Sequence, residues 1–300
     1  MAIKNNETKL KSLLAPGHRG CSGCGQLLAA RHVADTIGPN CIIAAATGCL
    51  EVTTTPYPES AWEVPWIHSL FENPAAIASG IYAALKTQGK DKEIKVVAMG
   101  GDGATFDIGY GLISGMWERE EDILYVCYDN EAYMNTGIQS SGATPYSAST
   151  TTSPAGRVSC GIVQRKKDML QLAIAHRVPY VAAATAGFPL DIQRKVKKAL
   201  EFSGPKYIQI LVPCVPGWGY EPNLTLEIGR LAQKTGLWPI FEAENGKITT
   251  VMKVPENPPK VEEYLKLQKR FKHLFKPECK KEIEKIQSIA DENIRRYHLK

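Results

Sequence analysis

The chain has 300 residues, of which 44% are hydrophobic, 8% aromatic and 22% charged, and its formal net charge at pH 7 is +5. This composition excludes intrinsic disorder, collagen and coiled coil as descriptions of the whole chain, and a chain of this length buries about 75% of its unfolded surface. Residues 1–259 carry 24 basic and 24 acidic residues, so the body lacks the concentrated basic face that nucleic acid binding needs, and the positive excess lies in residues 260–300.

Short apolar segments alternate along the chain with helical patterns. The predicted strands are 41–47, 94–99, 123–128, 179–184 and 207–212. The predicted helices are 26–37, 75–87, 108–118, 168–175 and 190–202. Nearly all-apolar strands that alternate with helices are typical of a parallel sheet covered on both faces. We therefore predict an α/β fold with a doubly wound, mainly parallel sheet.

Two segments interrupt this alternation. Residues 135–157 are rich in Ser, Thr, Gly and Pro, and a loop of this length is usually functional or disordered. The Pro-rich segment 255–260 then precedes a charged helical pattern. We predict a cofactor-binding domain at 1–254 and a C-terminal helical tail at 255–300 that docks a partner subunit. The tail carries an apolar stripe that needs a partner surface, on its own domain or on another subunit, formed by Tyr264, Leu267, Phe271, Leu274 and Phe275.

The sequence also predicts where the protein works. No apolar stretch approaches the ~18 residues of a membrane span, and the N-terminus has no apolar core of the length that a signal peptide needs. We expect a cytoplasmic protein without membrane association. Eight cysteines in that compartment do not indicate a disulfide framework, so clustered cysteines favour metal or redox chemistry. Lys166 and Lys167 precede a predicted helix and are interpreted as a solvated face, with coenzyme A contact as the alternative.

A glycine-rich turn follows the strand 94–99. It contains Gly101, Asp102 and Gly103, and Asn130 follows the next strand along the chain. Ligands collect at the carboxyl ends of parallel strands, so Asp102 and Asn130 should face one crevice. A carboxylate, an amide oxygen and a main-chain carbonyl supply half of an octahedral Mg²⁺ shell and leave room for diphosphate oxygens. Asp-Gly alone is common in turns, but with Asn130 at this spacing it indicates thiamine diphosphate binding.

Four cysteines belong to loops that are expected at the same edge of the sheet. Cys21 and Cys24 form a C-x2-C motif before a helix, Cys49 follows the first strand, and Cys214 follows the last. Four thiolates suit a tetrahedral site, either zinc or a [4Fe-4S] cluster. A thioredoxin-like redox pair is the alternative for the C-x2-C motif, but that fold has no use for Asp102 and Asn130. The other cysteines are interpreted as packing or surface residues: Cys41, Cys127, Cys160 and Cys279.

With both sets of residues in place, the sequence resembles the β subunit of 2-oxoacid:ferredoxin oxidoreductases, nearest to the pyruvate synthase type. The resemblance covers roughly residues 15–240. Its motifs are HRGCSGCG, TGC, PYPESAWEVPWIHSLFENPAAIASGI, GGDGATFDIGYGLISGMWERE, YVCYDNEAYMNTGIQSSGATP and the PC of Cys214. It implies the diphosphate half of the thiamine diphosphate-binding fold.

The resemblance also implies roles for single residues. Asp102, Asn130 and the main-chain carbonyl of Ala132 would bind the Mg²⁺ ion that anchors thiamine diphosphate. The four cysteines at the sheet edge, Cys21, Cys24, Cys49 and Cys214, would bind one [4Fe-4S] cluster. Asn135 would be the active-site asparagine, whose amide hydrogen-bonds the substrate-derived oxygen. The remaining cofactor-binding residues implied by the resemblance are Gly101, Gly103, Tyr133, Thr136, Gly137 and Gln139.

The implied activity is the reversible oxidative decarboxylation of pyruvate with coenzyme A, giving acetyl-CoA and carbon dioxide, with electrons passed through the cluster to ferredoxin. The glutamate that activates thiamine is expected on an α subunit with a pyrimidine-binding domain, since Glu51, Glu63 and Glu72 lack a suitable context. A γ subunit and a ferredoxin-like δ subunit are further implied partners. Three alternatives stay open: another 2-oxoacid (branched-chain or oxalate), a non-redox thiamine diphosphate decarboxylase or synthase, and a zinc-stabilised binding module.

Overall fold

The computed structural model of the chain describes residues 12–300. The prediction that the N-terminus is no signal peptide concerns residues that lie mostly outside this range. Between residues 12 and 300, no helix is both long enough and apolar enough to cross a membrane. The strands are β1 (Cys41–Ala45), β2 (Trp66–His68), β3 (Lys95–Gly101), β4 (Ile123–Asp129), β5 (Tyr180–Thr185), β6 (Lys206–Leu211), β7 (Phe241–Glu244) and β8 (Lys247–Val251).

Helices connect most of these strands. The α-helices are α1 (Gly25–Ile37), α2 (Cys49–Thr54), α3 (Pro74–Thr87), α4 (Tyr110–Glu118), α5 (Met169–Ala175), α6 (Pro189–Ala199), α7 (Thr225–Lys234), α8 (Val261–Lys266) and α9 (Lys280–Arg296). Short π-helical turns occupy Gly103–Ile108 and Val215–Gly219, and short 3-10 turns occupy Pro222–Leu224, Lys269–Phe275 and Pro277–Cys279. All five predicted strands are present, and their observed ends lie within two residues of the predicted ones.

The strands form one sheet in the order β2-β1-β3-β4-β6-β5-β7-β8. The first six strands in this order, β2 through β5, pair in parallel. Strand β7 pairs antiparallel with β5, and β8 pairs antiparallel with β7 at the edge of the sheet. The predicted doubly wound, mainly parallel sheet is confirmed. Strands β2, β7 and β8 were not predicted. The sequence signal for the β7–β8 hairpin is the pair Asn245-Gly246, which is typical of two-residue hairpin turns. Both residues take the positive φ angles that such a turn requires.

Apolar layers cover both faces of the sheet. Helices α1 and α6 pack together over one face, through side chains such as Val33 and Ile192. Helices α3 and α4 cover the other face, where Trp117 is fully buried. All seven residues of β4 are buried, so its sequence is a continuous apolar run rather than an alternating one. In strands that are buried on both faces, polar side chains are found at the strand ends. Asp102 follows the end of β3, and Asn130 follows the end of β4.

The C-terminal tail packs on the body of its own chain. Tyr264, Phe271 and Leu274 are buried, and they form an apolar cluster with Trp218 and other side chains of the body. The sequence left open whether the apolar stripe packs on the chain's own domain or on another subunit. In the structure these three residues of the stripe pack on the chain's own domain. The boundary near residue 254 and the docking of a partner subunit by the tail stay predictions.

A disulfide bond corrects one interpretation of the sequence. Cys160 in the long loop and Cys279 in the tail are bonded to each other across 119 residues of sequence. They are therefore not separate packing or surface residues. The interpretation of Cys41 and Cys127 as packing residues is confirmed, because both are buried inside strands as free thiols. Pairing across such a distance depends on how the tail folds back, and no local pattern predicts it.

This disulfide leads to a stability prediction. Cys160→Ser is expected to lower the free energy of unfolding of the oxidised protein by roughly 2–5 kcal/mol, because the bond restricts the unfolded chain over a long loop. Cys160 is preferred to Cys279 because it is only half-buried. Denaturant unfolding measures the difference, and the same comparison in reductant is the control, where the two proteins should unfold alike. Alkylation of all eight cysteines in the unreduced, unfolded protein would contradict the bond.

Candidate functional site

The carboxyl ends of the central strands surround a cavity of about 160 Å³. Its lining comes from the segments after β1, β3 and β4, as expected for the ligand site of a parallel sheet. The residues that line it are Gln26, Ala46, Thr47, Gly48, Cys49, Leu50, Phe71, Met99, Gly100, Gly101, Asp102, Gly103, Asn130, Ala132, Tyr133, Met134, Asn135 and Thr136. The structure thus brings most of the sequence-predicted cofactor residues into one cavity. Gly137 and Gln139 are absent from its described lining.

Three oxygen-bearing groups converge in this cavity. One terminal atom of the Asn130 amide lies 2.8 Å from Asp102 Oδ1 and 2.8 Å from the carbonyl oxygen of Ala132. If that atom is nitrogen, it donates a hydrogen bond to each oxygen. If it is oxygen, three oxygen atoms lie close together, an arrangement that a bound cation would stabilise. Neighbouring ligands of an octahedral Mg²⁺ ion lie about 2.8–3.0 Å apart, since each is about 2.0–2.1 Å from the metal. The residues present therefore fit a Mg²⁺ ion.

The backbone at Glu131 creates this convergence. Glu131 has a φ of 68°, a left-handed conformation that is uncommon for a residue with a side chain. The turn directs the Asn130 side chain and the Ala132 carbonyl toward Asp102. Two hydrogen bonds hold it: Glu131 N donates to Asp129 Oδ1 at 3.1 Å, and Thr144 Oγ1 donates to the Glu131 carbonyl at 2.9 Å. Such strain persists at functional sites when surrounding contacts fix the conformation.

The charge of Asp102 is poorly compensated within the chain. Burial raises the pKa of the Asp102 carboxyl well above its usual value, and the nearby charge of Asp129 raises it further. The Ser141 hydroxyl donates to Asp102 Oδ2, and the main-chain N–H of Asn130 donates to Oδ1 at 3.3 Å. A divalent cation would favour the ionised carboxylate. The positive charge of Lys166 lowers the pKa of Asp102, but this does not offset the effects of burial and of Asp129.

Tyr133 explains why residue 103 is glycine. A Cβ atom at Gly103 would lie 2.3 Å from Tyr133 Cε1, so the Tyr133 ring needs a residue without a side chain beneath it. The Tyr133 hydroxyl donates to Asp107 Oδ2 at 2.9 Å, which fixes the ring. Gly103 also begins a π-helical turn, and Cys214 is followed by another. Such turns are rare and frequently occur at functional sites.

The loop after Tyr133 closes on itself. Tyr133 N donates to the carbonyl of Gln139 at 2.9 Å. The Gln139 side chain contacts Thr136, accepting from its hydroxyl at 2.7 Å and donating to its carbonyl at 2.9 Å. Asn135 lies at the tip of this turn with its side chain exposed. Gln139 therefore supports the loop, whereas Asn135 and Thr136 are presented at the cavity.

The four predicted cluster cysteines are free thiols near one another. Cys24 precedes α1, Cys49 begins α2, and Cys214 precedes a π-helical turn. Burial, together with the charges of neighbouring cysteines, raises the pKa of Cys49 to about 12 and that of Cys214 to about 12. The charge of Asp102 also raises the pKa of Cys49. Uncompensated thiolates would repel each other here, so a cationic centre would suit them.

The two metal centres considered for the four thiols require different spacings of the ligands, wider for a four-iron cluster than for a single Zn²⁺ ion. Four thiolates around a single Zn²⁺ ion lie about 3.8 Å apart, because each Zn–S bond is about 2.3 Å. In residues 12–300, no group of three or more His, Cys, Asp and Glu side chains is arranged to hold a metal ion.

A buried charge network behind the cavity was not anticipated. Lys166 Nζ lies 2.7 Å from Asp129 Oδ2 and 3.0 Å from Glu131 Oε1, with 21% of its side chain exposed. Burial would lower the pKa of Lys166, but the two carboxylates raise it above its usual value. Its interpretation as part of a solvated face is therefore wrong, while Lys167 is exposed and pairs with Asp107 at 2.6 Å. The missed signal was the pair of acidic residues that flank Asn130 in a buried strand end.

A second, larger cavity of about 350 Å³ lies between the sheet and the tail. Its described lining includes Glu131 and Lys166 but none of the residues predicted for the cofactor or the cluster. Its walls are mainly apolar side chains, such as Trp238 and Phe271. Cavity size alone therefore does not locate the candidate site, which is identified by the polar groups that converge in the smaller cavity.

Comparisons with known proteins agree with this geometry. Residues 46–210 match the family model described as "Thiamine pyrophosphate enzyme, C-terminal TPP binding domain". The chain is 56% identical to pyruvate synthase subunit PorB of Methanosarcina barkeri, over 98% of this chain and 99% of that protein. It is 44% identical to ketoisovalerate oxidoreductase subunit VorB of Pyrococcus furiosus, over 92% of each chain.

A solved structure shares the fold. The 2-oxoglutarate:ferredoxin oxidoreductase from Magnetococcus marinus, with 2-oxoglutarate, coenzyme A and succinyl-CoA bound, matches with a TM-score of 0.60. The match covers 92% of this chain and 98% of that chain at 22% sequence identity. At this identity the comparison supports the shared fold alone.

Proposed function

The chain belongs to the 2-oxoacid:ferredoxin oxidoreductase family, as a PorB-type subunit of pyruvate synthase, and from this premise we propose that it holds the catalytic centre of that enzyme. In the proposed reaction, pyruvate and coenzyme A give acetyl-CoA and carbon dioxide, and two electrons pass through a [4Fe-4S] cluster to ferredoxin. The reverse reaction makes pyruvate at the same site. The single observation that carries the proposal is that Asp102 and Cys49 line one cavity.

The proposed cofactor site uses groups from three segments. Asp102, Asn130 and the Ala132 carbonyl would bind Mg²⁺, and Gly101, Gly103 and Tyr133 would contact the diphosphate end of the cofactor. Thiamine diphosphate, when bound, supplies a carbanion that adds to the 2-oxo carbon and accepts the electron pair released with carbon dioxide. A glycine at position 101 leaves open space for this approach, since a Cβ there would meet nothing within 4 Å.

Asn135 has the chemistry to act on the substrate. Its neutral amide would donate a hydrogen bond to oxygen that gains negative charge during the reaction, without delivering a proton to carbon. Thr136 and Gly137 continue the same loop, and Gln139 holds the loop closed by its contacts with Thr136. Phe71, Leu50 and Met99 supply apolar walls to the cavity, which would limit the access of water.

The cysteines favour electron transfer over a structural role. Cys49 lies in the lining beside Asp102, so a cluster held by Cys21, Cys24, Cys49 and Cys214 would adjoin the cofactor. A non-redox decarboxylase would keep Asp102 and Asn130 but would have no use for four converging thiols. A zinc-stabilised binding module would have no use for the three converging oxygens.

The proposal requires partner subunits. Among the described lining residues the only carboxylate is Asp102, so Glu51, Glu63 and Glu72 do not reach the cavity to activate thiamine. We assign that glutamate to an α subunit with a pyrimidine-binding domain. A γ subunit and a ferredoxin-like δ subunit would complete the complex and connect it to ferredoxin, and coenzyme A would enter with the substrate. As a subunit of pyruvate synthase, the chain functions in a multi-subunit complex.

The test uses the complex purified without oxygen together with its partner subunits. We expect bound thiamine diphosphate, about four irons for each copy of this chain beyond those of other subunits, and reduction of a viologen dye that depends on pyruvate and coenzyme A. The ratio kcat/KM should be highest for pyruvate in a panel with a branched-chain 2-oxoacid and oxalate. A higher ratio for the branched-chain substrate would assign the chain to the ketoisovalerate type.

The same preparation separates the other classes of function. Release of carbon dioxide without reduction of the dye would indicate a non-redox thiamine enzyme. Zinc in place of iron, together with no retained thiamine diphosphate, would indicate a binding module.

A further inference from the structure

Arg270 belongs to the tail, yet its guanidinium group is buried in the body of the chain. Only 4% of its side chain is exposed, and Nη2 lies 2.6 Å from Glu131 Oε2. Gln268 supports the group from within the tail, accepting from Arg270 Nε at 2.8 Å. A buried cation whose carboxylate partner comes from 139 residues away in sequence is an expensive arrangement, and it points to a role for the pair.

The same guanidinium group reaches Asn130 by a second route. Its central carbon lies 3.8 Å from the centroid of the Trp218 ring, in a stacked cation–π contact. The indole N–H of Trp218 donates to the main-chain carbonyl of Asn130 at 2.8 Å. Trp218 N in turn donates to the carbonyl of Cys214 at 2.9 Å. Arg270 therefore contacts the Asn130–Glu131 segment directly and the Cys214 loop through Trp218.

These contacts act on the strained part of the site. Glu131 is the residue with the left-handed φ, and its carboxylate is held on one side by Lys166 and on the other by Arg270. A glycine would adopt this backbone conformation more easily. The presence of a glutamate is explained if its side chain is the anchor that keeps the turn in shape, so that Asn130 and Ala132 face Asp102.

We infer that Arg270 is a positioning residue for the metal site: through Glu131 and Trp218 it holds Asn130 and the Ala132 carbonyl in the arrangement that binds Mg²⁺. Arg270 itself is absent from the described lining of the cavity, so it acts through these neighbours. The inference rests on the proposed function, and it extends that function to the tail, which becomes part of the cofactor site.

The test measures Mg²⁺ binding by the assembled complex, stripped with chelator, at saturating thiamine diphosphate. Arg270→Gln is expected to raise the Kd for Mg²⁺ by roughly 10–100-fold, the usual effect of losing a group that orients a metal ligand. Arg270→Lys keeps a positive charge near Glu131, and its Kd should lie between those of Arg270→Gln and the unaltered complex. Lys272→Gln removes an exposed positive charge from the same tail and should leave the Kd unchanged.

Two further comparisons make the result decisive. If Arg270→Gln does not assemble, Trp218→Phe replaces it, because phenylalanine keeps an aromatic ring beside Arg270 but loses the hydrogen bond to Asn130. It should raise the Kd by about tenfold, while the unfolding midpoint of the metal-free complex measures any general loss of stability. A normal Kd in these variants would overturn the inference and leave the proposed function intact. Absence of Mg²⁺-dependent cofactor binding in the unaltered complex would overturn both.

Discussion

Asp102→Asn is expected to abolish binding of thiamine diphosphate while the fold and the cluster remain. Asn130 and the Ala132 carbonyl are neutral, so Asp102 supplies the only negative charge among the three proposed ligands. Groups that merely orient a metal ligand are worth roughly 10–100-fold in affinity, so loss of the charged ligand should exceed that. Titration of the stripped complex with Mg²⁺ and thiamine diphosphate measures the change.

The metal-free form of the same variant supplies an independent check. Because burial and Asp129 raise the pKa of Asp102, a neutral amide at this position should not lower the free energy of unfolding of the metal-free chain. Asp91→Asn is the matched control, since Asp91 is absent from the described lining of the cavity and its ion pair with Lys92 spans 3.9 Å. Retained Mg²⁺-dependent cofactor binding in Asp102→Asn would place the metal elsewhere.

Cys214→Ala is expected to remove the cluster and leave thiamine diphosphate bound, the reverse of the result expected for Asp102→Asn. Removing one of four proposed thiolate ligands should reduce the iron content of this chain from about four to a small residue and slow the reduction of ferredoxin or viologen. The rate should fall by more than the roughly 10–100-fold that loss of an indirect metal contact produces. Thiamine diphosphate binding should persist, because Cys214 is absent from the described lining of the cavity.

A buried cysteine away from the edge gives the control for this experiment. Cys41→Ala changes a thiol inside β1 that is also buried and free, and it should leave iron content and electron transfer unchanged. Equal iron in Cys214→Ala and in the unaltered complex would remove Cys214 from the ligand set. Loss of both iron and cofactor from Cys214→Ala would mean that the two sites fold as one unit, which the link from Cys214 through Trp218 to Asn130 would then explain.

Local sequence patterns were sufficient to predict the central sheet and the edge of the sheet at which the candidate site lies. The five predicted strands are nearly continuous apolar runs, because strands buried on both faces leave no polar positions, and such runs are local signals. The polar residues that follow β3 and β4 were predictable for the same reason, since the chain places them just outside the buried segments. Asp102, Asn130 and Cys49 could therefore be assigned to one edge of the sheet from the sequence alone.

The contacts that hold this edge in shape depend on the packing of the whole chain. The Cys160–Cys279 bond and the contacts of Arg270 join residues that are remote in sequence. The left-handed turn at Glu131 depends on such a remote partner, because Arg270 holds its side chain. Lys166 illustrates the limit: beside Lys167 it has the pattern of a solvated face, yet the fold buries it against Asp129. A charge is tolerated inside a protein when its partner is present, and the position of that partner is a property of the packed chain rather than of the local sequence.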